Sequence, residues 1–166
     1  REVELNDGLQ KIGSAAFLEC ASLESIKLAS TISEVGDNAF SNCTKLREVE
    51  LNDGLQKIGS AAFLECASLE SIKLASTISE VGDNAFSNCT KLREVELNDG
   101  VQKIGIGTFS DCSSLERIKL ASTVSEVGDN AFSNCTKLRE VELNDGLKKI
   151  GSAAFRDCSS LESIKL

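Results

Sequence analysis

Seven cysteines stand at 20, 43, 66, 89, 112, 135 and 158, each three residues behind a phenylalanine, and both series step by 23. A thiol at fixed spacing can be a nucleophile, a metal ligand, half of a disulfide or a packed core group. A nucleophile needs exposure and a neighbouring base, but the chain has no His, and Phe and Leu flank every thiol. Zinc needs ligands that converge tetrahedrally from spacings such as Cys-x2-Cys, and a straight row of thiols does not converge. A disulfide between neighbouring coils is harder to dismiss, because a Cα separation near 5 Å is permitted. Against it, seven cysteines cannot all pair, and side chains in a row point in parallel. The preferred reading is a packed thiol, since free Cys behaves as a small hydrophobe. No metal, cofactor or catalytic residue is expected.

Composition narrows the classes further. Apolar residues make up 41% of the 166 positions, enough for a core, yet aromatic content is 4% and entirely Phe. The net charge of −8, with no block of Lys or Arg, argues against binding a phosphate backbone. No stretch approaches the roughly 18 apolar residues of a membrane span. The chain begins at Arg1 without a signal-peptide pattern, so a targeting segment would have to lie outside it.

The elements that position the thiols repeat with them. A fixed period between 20 and 50 residues marks a solenoid, whose units bury a core only by stacking. Seven 23-residue coils fill 161 positions, and 162–166 opens an eighth. Odd coils read REVELNDGLQKIGSAAFLECASL and even coils ESIKLASTISEVGDNAFSNCTKL, so the copied unit is 46 residues; residues 1–46 and 47–92 are identical. That identity points to recent duplication. Within a coil, Leu23-x-x-Ile26-x-Leu28 alternates with period two, predicting a short strand with Ile26 and Leu28 inward and Ser25 and Lys27 outward. Asp7-Gly8 and Asp53-Gly54 mark the turn leaving the strand. Gly13, Gly36 and their equivalents occupy a corner that should not tolerate a side chain. Ser14 or Asp37 before Ala-Phe predicts the N-cap of a short helix carrying Phe40 and Cys43 on one face.

The motif Leu-x-x-Ile-x-Leu-x-x-x-Ile-x-x-Val-Gly-x-x-Ala-Phe-x-x-Cys, carried as it stands by residues 23–43, closely resembles the BspA-like (treponemal) leucine-rich repeats. The match spans the chain, with Thr108 the one departure at the Ala of Gly-x-x-Ala-Phe-x-x-Cys. Such repeats often place Pro after the strand leucine; here Asn6 or Ala29 stands instead, predicting a less rigid turn. The resemblance implies an α/β fold: a right-handed leucine-rich-repeat solenoid with a parallel β-sheet on its concave face and short helices on its convex face. It also implies protein–protein interaction or adhesion at a cell surface or in secreted form, without catalysis. Residues 1–166 are read as one segment of a longer array.

The two coil types differ chiefly in charge. Glu4, Lys27, Glu50, Lys73, Glu96, Lys119, Glu142 and Lys165 alternate in sign, as do the rows through Arg1 and Glu24 and through Lys11 and Glu34. Identical coils would stack like charges one strand apart; alternation replaces repulsion with attraction and disfavours slippage by one coil. Glu2, Glu48, Glu94 and Glu140 form an unpaired acidic row facing Ser25, Ser71 and Arg117, a comb that favours a basic partner. These two outward rows, Glu2 to Lys165, are the candidate partner-binding face. Trp and Tyr are absent, so many weak polar contacts are expected rather than aromatic hot spots. Asn-Asp-Gly alone supplies too few oxygens for calcium. The fifth coil carries Ile106-Gly107-Thr108 for Ser-Ala-Ala, which removes a capping hydroxyl and predicts the least regular of the seven helices. A different class of function is a structural spacer that stacks end to end through uncapped termini.

Overall fold

The computed structural model describes residues 1–165; Leu166, the last residue of the eighth-coil strand motif, lies outside them. Fifteen short strands follow one another. Eight three-residue strands open successive coils: β1 (Glu2–Glu4), β3 (Ser25–Lys27), β5 (Glu48–Glu50), β7 (Ser71–Lys73), β9 (Glu94–Glu96), β11 (Arg117–Lys119), β13 (Glu140–Glu142) and β15 (Ser163–Lys165). Between them lie two-residue strands: β2 (Lys11–Ile12), β4 (Glu34–Val35), β6 (Lys57–Ile58), β8 (Glu80–Val81), β10 (Lys103–Ile104), β12 (Glu126–Val127) and β14 (Lys149–Ile150). All pairing is parallel, and the register advances one coil at a time: Ile26 lies opposite Val3 and Val49, and Val35 opposite Ile12 and Ile58. The period-two expectation holds at the strands, where Ile26 and Leu28 are buried and Lys27 is exposed.

The expected convex helices are absent: none of the described residues is helical. Residues 14–19, 37–42 and their equivalents form consecutive turns instead. Asn38 and Asn42 take left-handed backbone (φ 55° and 59°), as do Ala15 and Glu19 in the first coil (55° and 58°). A left-handed residue every fourth position turns alternate amides out of the helical direction. Phe40 N therefore donates to Ala62 O of the next coil (2.7 Å), with Asn38 N to Ser60 O (2.9 Å) and Asn42 N to Leu64 O (2.7 Å) on either side. Intervening amides close tight turns within the coil, as from Cys43 N to Phe40 O (3.2 Å). The segment thus satisfies its backbone between coils, where a helix would satisfy it locally.

This ladder recurs with three bonds at each of the six joints between complete coils. It includes coil five, through Gly107 N to Asp129 O (2.9 Å), Phe109 N to Ala131 O (2.8 Å) and Asp111 N to Ser133 O (2.8 Å). The expected irregularity at 106–112 is found in part: the ladder is kept, but the Thr108 amide lacks the turn bond to Gly105 O that its six counterparts make, and Thr108 Oγ1 is buried without a hydrogen-bond partner among the described residues. Gly107 has φ 59°, and glycine is the residue this conformation favours. Asp37 and Asp83 are not helix caps either: their Oδ1 atoms accept the Ser60 and Ile106 amides of the following coil, both at 2.8 Å.

The core is a set of parallel files. Seven Phe rings stack with centroids 5.1–5.5 Å apart. This is slightly wider than the spacing of about 4.8 Å between neighbouring strands of a sheet. The glycine corner is equally tight. A Cβ on Gly82 would sit 2.4 Å from Ser60 N, and one on Gly59 2.6 Å from Asp37 N, so backbones of successive coils touch where a side chain would intervene.

Candidate functional site

The thiol file is structural. All seven cysteines are free, and Cys43, Cys66, Cys89, Cys112 and Cys135 are buried. Each of these five, and Cys158, donates its Sγ–H to the carbonyl of a phenylalanine one coil back, from Cys43 to Phe17 O (3.1 Å) through Cys89 to Phe63 O (3.3 Å). The constant three-residue step from Phe to Cys supports this bond, which spacing alone did not reveal. Burial pushes the thiols up, Cys43 to about 11 from 9.0 and Cys66, Cys89, Cys112 and Cys135 further. A thiolate is thus available in the unfolded chain before the folded one. The contribution to stability is complete below about pH 9 and falls as pH rises through the folded values.

The inner sheet presents the expected polar face. Glu2, Glu4, Lys27, Glu48, Glu50, Ser71, Lys73, Glu94, Glu96, Arg117, Lys119 and Lys165 are exposed, while Ser25, Glu140 and Glu142 are half-buried. Three lysine bridges along this row run forward, Lys27 to Glu50 (2.8 Å), Lys73 to Glu96 (3.1 Å) and Lys119 to Glu142 (2.9 Å), while Lys165 reaches back to Glu140. The ammonium groups of Lys27, Lys73 and Lys119 are thereby committed to the following odd coil. The hydrogen bond that Lys27 donates to Glu50, then the charge of Glu50, raises the pKa of Lys27. On the row of two-residue strands the odd-coil lysines reach forward instead, Lys11 to Glu34 (2.7 Å), Lys57 to Glu80 (3.2 Å) and Lys103 to Glu126 (3.3 Å), while Lys149 reaches back to Glu126 (2.9 Å). Hydrogen bonds from these lysines hold Glu34 and Glu126 below the usual carboxylate range. The Arg–Glu row alternates in register, but among the described residues no guanidinium bridges along it.

The acidic comb survives in part. Glu2, Glu48 and Glu94 make no ion pair among the described residues, whereas Glu140 is bridged by Lys165 and held lower in pKa by that hydrogen bond, with Arg117 adding a smaller attraction. Asn52, standing where related repeats often have Pro, does more than close a turn. Its Nδ2 donates to Ala29 O (2.6 Å) and Ile32 O (2.9 Å) of the preceding coil, and its Oδ1 accepts from Gly54 N (2.7 Å). Asn144 repeats all three bonds. In the coils of Asn52 and Asn144 the expected loss of turn rigidity is offset by this brace.

Parallel strands, 23-residue coils and a stacked hydrophobic file define a leucine-rich-repeat solenoid. The sequence matches the BspA type leucine-rich repeat region over residues 1–105 and 80–166, and the chain belongs to that family. No curated protein sequence matches it at a significant level. Among solved structures, the T. pallidum leucine-rich repeat protein is 33% identical, with TM-score 0.87 over 96% of this chain and 76% of that one. A leucine-rich cell surface protein of Faecalibacterium prausnitzii (21% identity, TM-score 0.70) and the pneumococcal vaccine antigen PcpA (23%, 0.70) share the fold over 99% of this chain. The chain spans 59% and 58% of their respective lengths.

Proposed function

We propose that this chain is a non-catalytic protein-binding module, working in adhesion at a cell surface, and that the inner sheet is its contact face. The observation that carries the reading is the exposed polar face itself, running from Glu2 to Lys165, with Glu2, Glu48 and Glu94 left without an ion pair among the described residues beside bridged neighbours. Eight glutamates stand on it against four lysines and Arg117, so a partner with basic groups is favoured. The relation to a cell surface protein and a vaccine antigen supports the location. Membership of a repeat family with extended binding surfaces supports the activity.

The test is capture of a partner by the immobilised chain, repeated with Glu2, Glu48 and Glu94 all changed to Lys. Loss of at least tenfold in affinity at unchanged circular dichroism is expected. Unchanged capture by the triple variant would remove the inner sheet as the contact face. A chain that captured nothing yet polymerised with rising concentration would favour the spacer reading.

A further inference from the structure

The eight inner strands do not form one sheet. They pair as β1-β3-β5, β7-β9 and β11-β13-β15, with no pairing between β5 and β7 or between β9 and β11. Both gaps fall where an odd coil meets the following even coil. The bonds from Glu24 N to Arg1 O and from Glu162 N to Arg139 O (both 2.9 Å) have no counterpart at Glu70 or Glu116. Where an even coil meets the following odd coil, Arg47 N to Glu24 O, Arg93 N to Glu70 O and Arg139 N to Glu116 O are all made at 2.8 Å. Asn52, Asn98 and Asn144 brace those same closed joints, and the inner lysine bridges cross them.

Competition for neighbours accounts for the pattern. Lys73 is drawn to Glu96 and Glu50 to Lys27, so no ion pair spans β5 and β7; likewise Lys119 takes Glu142, leaving Glu96 to Lys73. Of the interior strands, β5, β7, β9 and β11 pair only with the neighbour to which they are bridged, whereas β3 and β13 pair on both sides. The strands β1 and β15 have one neighbour each and remain paired. Beside β9 the opening becomes a hollow of about 550 Å³ walled by Val95, Leu97, Lys119 and Leu120.

The rest of each open joint stays closed. The row of two-residue strands continues across both, through β6–β8 and β10–β12, and is interrupted only between β8 and β10, inside a block whose inner strands are paired. The Phe rings remain stacked at 5.3 Å across the first gap and 5.5 Å across the second, where their planes incline by 13° against 2–6° elsewhere.

We infer that the solenoid is jointed: residues 1–69, 70–115 and 116–165 move as three blocks that open on the inner face and pivot on the convex backbone ladder. The stiff pair is an even coil followed by an odd one, offset by a coil from the repeat as it reads from Arg1. A partner lying along the inner face would meet a surface whose curvature changes at two fixed places.

Residue-resolved amide exchange on the whole chain tests this, with each rate divided by the intrinsic rate for its sequence. The Glu70 and Glu116 amides are expected to exchange at least tenfold faster than those of Arg47 and Arg93, while the Phe63 and Phe109 amides, on the pivot, stay as protected as Phe40. A ratio below tenfold, or equal exposure of the pivot amides, would overturn the joints. The result does not depend on whether the inner face binds a protein.

Discussion

The two sides of each coil solve stacking differently. On the convex side the three-bond backbone ladder of the turn segment is repeated at every complete joint, independent of coil type, with Phe and Cys files beneath it. On the inner side the cohesion depends on side chains that alternate, and the sheet parts where the alternation gives its lysines to the other neighbour. A ladder of main-chain amides cannot choose between its neighbours; a row of long charged side chains can. Continuity therefore belongs to the convex side, and variation in curvature to the face that is free to bind.

The strongest way to break this contrast is to remove a ring. Phe86 is fully buried between Phe63 and Phe109. Phe86→Ala should cost about 3–5 kcal/mol in denaturant unfolding, the range for deleting a buried aromatic ring. A loss under about 1 kcal/mol would mean that the convex file does not hold the stack together.

The turn conformation gives a finer test in both directions. Ala61 sits at φ 53°, where an L side chain is strained, whereas Gly107 occupies the equivalent position without penalty. Ala61→Gly should stabilise by about 0.5–1 kcal/mol. Gly107→Ala should destabilise by at least as much, because its Cβ would also lie 2.3 Å from Asn84 Oδ1. Equal and opposite signs from a helix would read the other way, with alanine preferred at both sites.

The smallest effect sits on the inner face. Lys73→Glu places acid beside Glu96 and removes an exposed bridge. Its midpoint of unfolding should fall by a few degrees at low salt and by less at high salt, since exposed pairs are screened. A drop independent of salt would show that packing, not charge, is disturbed.

Much of this molecule was legible in the sequence because translation makes one coil predict the next. The 23-residue step placed the Phe and Cys files, period two placed Ile26 and Leu28, and sign alternation placed the lysine bridges. The helix was misread because Asp37 before Ala-Phe looks like a cap, while Asn38 and Asn42, four apart and tolerant of left-handed backbone, were the stronger signal. Gly107 was misread for the same reason: it would weaken a helix, but it suits the turn. The Asn52 brace was missed because its bonds reach a carbonyl twenty residues back and another twenty-three back, a distance visible only once the coils are stacked. The open joints were hidden more deeply, since a perfect repeat of charges does not reveal which of two equal neighbours a lysine takes.

Counting reactive thiols, with a dithiol-exchange reagent in the native chain and again in denaturant, tests the central claim that successive coils lie in register with their sulfurs filed behind the rings. Cys20 is exposed and Cys158 half-buried, so native protein should yield one fast and one slow thiol, with Cys43, Cys66, Cys89, Cys112 and Cys135 silent until unfolding releases all seven. Seven prompt thiols in native protein, or fewer than seven after unfolding without reductant, would contradict it.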